Sequence, residues 1–189
     1  MATRRIREFL DGGDAEYVII SHSPAYTAQE VAESAHIPGR DVAKTVVVEI
    51  DGRLALAVVP ATRHVDLYRL CAAAGAEEVR LADESDFADR FEGCQLGAVP
   101  PFGNLFGMET YVDRSLARER YIAFSAGSHT ELIATRFGDY RRLARPKLVQ
   151  IAAAAGYALV WGVDSGAAGP ETDRVPDLPR RTSCATSFR

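Results

Sequence analysis

With 189 residues, 47% of them hydrophobic, the chain has material for one globular domain with its own core and an appendage. Lys and Arg number 22 against 26 Asp and Glu, a net charge of −4 that excludes coating nucleic acid through bulk positive charge and leaves only local phosphate contacts. No apolar run approaches the ~20 residues of a membrane span, and the N-terminal Met-Ala-Thr-Arg-Arg-Ile-Arg lacks the apolar core of a secretory signal, so no membrane association and a cytoplasmic location are expected.

The first 16 residues are expected as a helical lead-in, and Tyr17 to Ser21 is a short β-rich run. Thr27-Ala28-Gln29-Glu30 reads as a capping box opening a helix to about Ala35, closed by Pro38 and Gly39. Lys44 to Ile50 and Arg53 to Val59 are apolar runs joined by Asp51-Gly52, a strong signal for a tight hairpin. Asp66 caps a helix through Ala74 with Gly75 as its stop, and a second helix follows around Ser85 to Phe91 before Gly93. Leu96 to Val99 reads as a strand running into Pro100-Pro101-Phe102-Gly103. Thr110 to Val112, Tyr121 to Ser125 and Glu131 to Thr135 are further strands. Asp139 caps a last helix to about Ala144, where Pro146 interrupts or restarts it.

Residues 152–163 could add one element, and 164–189, rich in Pro, Gly, Ser, Thr and Arg, are expected as a disordered tail. Hairpins in the middle with helices between other strands imply an α+β domain, a mixed sheet curled toward a barrel with helices packed outside it. Cys71, Cys94 and Cys184 are odd in number and widely spaced, which suits neither a disulfide framework nor a zinc cluster; buried or free thiols are expected. The sequence has no glycine-rich phosphate loop, His-Glu-x-x-His pair or Cys-x-x-Cys.

Lys44 opens the apolar run Thr45-Val46-Val47-Val48. An amine there either offers its charge to something entering a cavity or lays its stem on the core with the ammonium in water. In Gly97-Ala98-Val99-Pro100-Pro101-Phe102-Gly103 two prolines fix φ and remove two donors, which makes a rigid rim with free carbonyls. In Ser125-Ala126-Gly127-Ser128-His129 small residues let a ligand approach the backbone among amides, hydroxyls and an imidazole; either segment alone could be a common connector. Basic residues cluster at Arg4, Arg5 and Arg7 and at Arg136, Arg141, Arg142, Arg145 and Lys147, as phosphate contacts or as solvated faces balanced by acids.

Together these segments resemble the YbaK family of aminoacyl-tRNA deacylases, which includes the editing domain inserted in bacterial prolyl-tRNA synthetases. The resemblance runs from about Tyr17 to Ile151, through Ser21-His22-Ser23-Pro24, Ala43 to Val48, Gly97 to Gly103 and Ile122 to Gly127, closing at Phe137 to Ala144. It implies a free-standing mixed-sheet domain over 17–151 that hydrolyses the ester between a wrong amino acid and the tRNA 3′ end, without metal or organic cofactor. The family's lysine maps onto Lys44, its Gly-x-x-x-Pro element onto Gly97 and Pro101, and its pocket loop onto Ser125, Gly127, Ser128 and His129. Thr45 and Phe102 beside the matched residues, with Tyr26 and Thr27 as an opposite wall, complete the expected substrate-binding set.

In that reading Lys44 orients the terminal adenosine, through its phosphate or the scissile ester, and stabilises the tetrahedral intermediate while water or the ribose 2′-OH attacks. His129 sits beside the substrate's amino group or side chain, or makes a structural hydrogen bond at a turn. Alanine or another small residue on tRNA(Pro) is the expected substrate, captured as it leaves an aminoacyl-tRNA synthetase or in complex with one. Two other functions fit the residues: a non-catalytic module that binds an aminoacyl or nucleotide ligand to regulate a partner, and a hydrolase of small esters that uses no RNA.

Overall fold

The computed structural model describes residues 2–154 and 181–183. Helix α1 (Ala2–Gly12) is amphipathic and sinks Ile6 and Leu10 into the main core. Strand β1 (Tyr17–Ser21) leads to α2 (Ala28–Ser34). The Thr27 hydroxyl accepts from the Glu30 N–H at 3.2 Å, and the Glu30 carboxylate accepts from the Thr27 N–H at 3.0 Å, completing the expected capping box. Strands β2 (Val42–Ile50) and β3 (Arg53–Pro60) are the expected hairpin. Asp51 and Gly52 both have positive φ, 47° and 77°, the geometry a two-residue turn needs to match strand twist.

Next come β4 (Arg63–Val65) and α3 (Leu67–Ala74), capped by Asp66 and ended by Gly75 at φ 66°. β5 (Glu78–Leu81) precedes α4 (Glu84–Phe87), one turn of α-helix continued by a 3-10 turn over Ala88–Arg90. β6 (Glu109–Asp113), β7 (Tyr121–Ser125) and β8 (Glu131–Arg136) lead into α5 (Phe137–Ala144). Three short strands follow: β9 (Lys147–Val149), β10 (Ala152–Ala154) and β11 (Arg181–Ser183).

The main sheet runs β1-β8-β7-β2-β3-β6-β9, and β5 pairs with both β2 and β11. β2–β3, β7–β8 and β1–β8 are antiparallel, while β2–β7, β3–β6 and β6–β9 are parallel, so the sheet is mixed as expected. β4 and β10 form a separate antiparallel pair. Among the described residues no helix is long and apolar enough to cross a membrane.

Several expectations change. Leu96 to Val99 is a turn and not a strand, because Gly97 sits at φ 80° and the Ala98 N–H closes onto the Gln95 carbonyl at 3.0 Å. Beyond Pro146 the chain extends as β9 beside β6 instead of restarting a helix. Within the expected disordered tail, Arg181–Ser183 form a strand on β5; the remaining tail residues, and 155–163 of the extra element, lie outside the described residues. Cys94 is a free thiol but Cys71 is disulfide-bonded, a bond that sequence spacing did not reveal.

Candidate active site

A cleft of about 440 Å³ opens where β2, the chain leading into α2, the Gly97 turn and the end of β7 converge. Such a volume falls in the range of small-ligand sites. β2 brings Lys44 and Thr45 to it, the capping-box loop brings Tyr26 and Thr27, and Gly97, Ser125 and His129 line it from across. No Asp or Glu lines the cleft among the described residues, and Lys44 is its single Lys or Arg.

Lys44 is half-buried because its stem leaves a strand paired with β3 from Ala43 to Ile50. Its ammonium donates to the Arg63 carbonyl at 2.7 Å. Burial pushes the group below its ordinary value of 10.5, since the charged form loses hydration. Among the described residues the amine is therefore neither free in water nor neutralised by a carboxylate, a state suited to receiving an anionic or carbonyl oxygen.

The Tyr26 and His129 rings meet at 4.9 Å between centroids, tilted 52°, and together wall one side. Main-chain bonds hold the loop behind them. His129 donates its N–H to the Gln95 side-chain carbonyl at 2.7 Å, Gln95 donates its own N–H to the Gly127 carbonyl at 2.9 Å, and Gly127 donates to the Ala98 carbonyl at 3.0 Å. This lattice ties the 95–98 turn to the 125–129 loop. It requires φ 99° at Gly127 and φ 80° at Gly97, conformations that a β-carbon strains. The Thr45 hydroxyl is buried without a hydrogen-bond partner among the described residues.

Of the residues expected from the sequence, Lys44, Thr45, Tyr26, Thr27, Gly97, Ser125 and His129 are brought together at the cleft. Pro101, Phe102, Gly127 and Ser128 do not line it. Phe102 is fully buried, its ring edge-on to Phe9, Phe124 and Tyr140 at 5.4–5.5 Å. The Pro101 carbonyl accepts from the buried Tyr140 hydroxyl at 2.9 Å. The double proline thus braces the core behind the cleft instead of forming its rim. Gly127 acts through the loop lattice, and the Ser128 hydroxyl accepts from the Thr130 N–H at 3.4 Å. Sequence reasoning missed His64 and Gln29, which also line the cleft, and Gln95, which holds His129. Polar residues in Thr62-Arg63-His64, directly after an apolar strand, were the available signal for His64. Among the described residues no three His, Cys, Asp or Glu side chains are placed to share a metal ion.

A mixed sheet with a lone half-desolvated lysine in a carboxylate-free cleft defines a class of small hydrolase or binding domain, and comparison with known proteins selects the family. The family model for the aminoacyl-tRNA editing domain matches residues 22–143. The chain belongs to that family and is an aminoacyl-tRNA deacylase, a hydrolase acting on the tRNA ester bond. A curated relative, the multifunctional Ser/Thr-tRNA deacylase ProXp-y of Escherichia coli strain K12, is 28% identical over 152 residues, covering 77% of this chain and 90% of that protein. Among solved structures, a putative trans-editing enzyme for prolyl tRNA synthetase matches with a TM-score of 0.69 at 19% identity, covering 80% of this chain and 97% of that one. Another, described only as a hypothetical protein, matches with a TM-score of 0.71 at 19% identity over 79% of this chain and 99% of that one. At those identities the two structures speak for the fold alone.

Proposed function

We propose that this deacylase works in trans in the cytoplasm on tRNA carrying a small wrong amino acid, with serine and threonine as its first substrates. Two features support that choice. The hydroxyl-bearing residues Thr27 and Ser125 and the imidazole-bearing His129 line the cleft, and the curated relative is named for Ser/Thr-tRNA. Alanine on tRNA(Pro), the substrate expected from the sequence, is the second reading, favoured by the apolar surface that Val31, Val42 and Val99 add to the same cleft. The difference between these side chains is one hydroxyl or a methylene, worth only ~1–3 kcal/mol in an apolar pocket.

The observation that carries the proposal is the Lys44 ammonium, half-buried and without a carboxylate partner among the described residues, at the edge of the cleft. In ester hydrolysis negative charge grows on the carbonyl oxygen, and a positioned cation in partly excluded water stabilises that charge. Lys44 carries that role or holds the terminal adenosine phosphate, and Tyr26, Thr27, Gly97, Ser125 and His129 shape the space for the amino acid. The attacking oxygen comes from water or the neighbouring 2′-OH. A deacylation assay over a panel of mischarged tRNAs tests the reading. The native protein should hydrolyse seryl- or threonyl-tRNA well above background, and Lys44→Ala should lose on the order of 100-fold in kcat. Equal rates for the two proteins remove Lys44 from the mechanism.

A further inference from the structure

β2 is paired with β3 from Ala43 to Ile50, but its other edge is shared between two strands. β7 covers Val42 and Ala43, and β5 covers Val48 to Ile50. The stretch between them lines the cleft. Alternation along the strand decides which residue faces the gap. The Val42 carbonyl turns toward the β3 side, accepting from the Ala61 N–H at 2.8 Å. The Asp41 and Val47 carbonyls turn the other way, accepting from the Ala123 and Ala82 N–H groups at 2.8 and 3.1 Å. Residues 41, 43, 45 and 47 therefore aim N–H and C=O away from β3. Thr45 lies opposite Val58 in a pair that exchanges no main-chain bonds, and it lies beyond the last β7 pair, Ala43 with Phe124. Among the described residues neither β7 nor β5 pairs with it, so both of its main-chain polar groups face the gap beside the cleft.

Main-chain donors and acceptors inside folded proteins are almost always paired, and an open strand edge is a template for one more β partner. We propose that the aminoacyl group of the substrate is that partner, its α-ammonium donating to the Thr45 carbonyl and its ester carbonyl accepting from the Thr45 N–H. An α-amino acid carries its donor and acceptor at the spacing of a β residue, so a single residue can exchange both bonds. The inference rests on the deacylase reading of the cleft and deepens it. Thr45 reads what all amino acids share, and discrimination is left to the side-chain walls at Tyr26, Ser125 and His129.

The same N–H stays bonded through the reaction. The attacking water oxygen adds to the ester carbon, and the carbonyl electron pair moves onto the oxygen held by Thr45. Collapse of this intermediate breaks the bond to the ribose oxygen, which takes the proton that water gave up. The products are the free amino acid and tRNA with its hydroxyl restored. A donor fixed before charge develops needs no reorganisation when it does.

The test is a backbone ester at position 45, made by replacing threonine with its α-hydroxy counterpart. This keeps the side chain and deletes the N–H. On the best mischarged tRNA kcat should fall about 100-fold, while the thermal midpoint stays within roughly 4 °C of the parent, because that N–H takes no part in the β2–β3 ladder and the ester only weakens the Lys44 carbonyl as an acceptor there. Thr45→Pro removes the same donor from the same edge and should reproduce the loss. With the parent protein, tRNA esterified with the deaminated form of the same amino acid should show a KM raised about 10-fold, the loss of one charge-assisted hydrogen bond. A folded backbone-ester protein working at the parent rate overturns this inference alone. A parent inactive on every mischarged tRNA overturns the functional reading and this inference with it.

Discussion

A cation half withdrawn from water acts with more force than the same cation on the surface, and its proton is correspondingly easier to remove. Lys44 is in that state, held below its ordinary value of 10.5 by burial while donating to one carbonyl. On the proposed role its ammonium is the active form, so the activity it supports should be present at neutral pH and lost as pH rises through a value below 10.5. After subtraction of spontaneous ester hydrolysis, kcat/KM should show that alkaline limb, and the residual activity of Lys44→Met should lack it. A limb that persists in Lys44→Met belongs to another group. His129 offers a contrasting case, because its ring meets the tilted Tyr26 ring and its main chain is fixed by Gln95. His129→Ala should change the ratio of seryl to alanyl turnover by ~10-fold, more than it lowers the best rate. Uniform loss on all substrates would make His129 a general positioning residue. Gly97, in a segment read as a strand, was placed by the family resemblance, while Lys44 was legible in the sequence because an amine on an apolar strand is locally unusual. Phe102 was not, since a double proline looks the same whether it rims a cleft or braces a core.

Behind Lys44 stands a relay of short elements. The Asp113 carboxylate at the end of β6 accepts from the Ser115 N–H at 2.9 Å, from the Ser115 hydroxyl, and from the Ile151 and Ala152 N–H groups at 2.7 Å each. Ala152 starts β10, β10 pairs with β4, and the Arg63 carbonyl that holds Lys44 belongs to β4. Burial alone would raise the Asp113 carboxyl, but the bonds from Ser115, Ala152 and Ile151 outweigh it and hold the group below its ordinary 3.8. Its stabilising contribution is thus present above pH 3.8 and lost as pH falls through the lower native value. Asp113→Ala should cost about 3 kcal/mol, a drop of roughly 6–12 °C in thermal midpoint. Well below that midpoint it should still slow deacylation, because β10 no longer steadies β4. Full activity in the folded variant would show that Lys44 does not depend on the β4–β10 pair. The capping box and the Asp51-Gly52 hairpin could be read in advance because each is settled within a few residues. β4, β5, β9 and β10 could not, because three or four residues carry no periodicity and their pairing is settled by distant strands.

For the molecule as a whole, charge sets how tRNA is engaged. Most of the basic residues singled out in the sequence are occupied. Arg4 pairs with Glu8, Arg7 with Glu131, Arg136 with Glu16, Arg142 with Asp139 and Lys147 with Glu109, at 2.8–3.5 Å. Positions in the sequence revealed the clusters but not these partners, which come from other elements in three of the five cases. Arg141 and Arg145 are exposed and make no ion pair among the described residues. With a net charge of −4, the protein can neutralise few phosphates. A plot of log kcat/KM against log salt should therefore be shallow, about −1 to −2, as one or two contacts to the single-stranded 3′ end dictate. A slope near −4 would instead mean that arginines outside these ion pairs, such as Arg141 and Arg145, add phosphate contacts along the tRNA. A shallow slope also means that the protein draws little affinity from the body of the tRNA. Selecting one tRNA then needs a second source of binding, and a synthetase that already holds its tRNA can supply it by raising the local concentration of the mischarged end. Adding the synthetase at limiting tRNA should raise kcat/KM most for that synthetase's own tRNA, with kcat on saturating substrate unchanged. If no synthetase changes the rate on any tRNA, the 3′ end and its amino acid carry all the recognition.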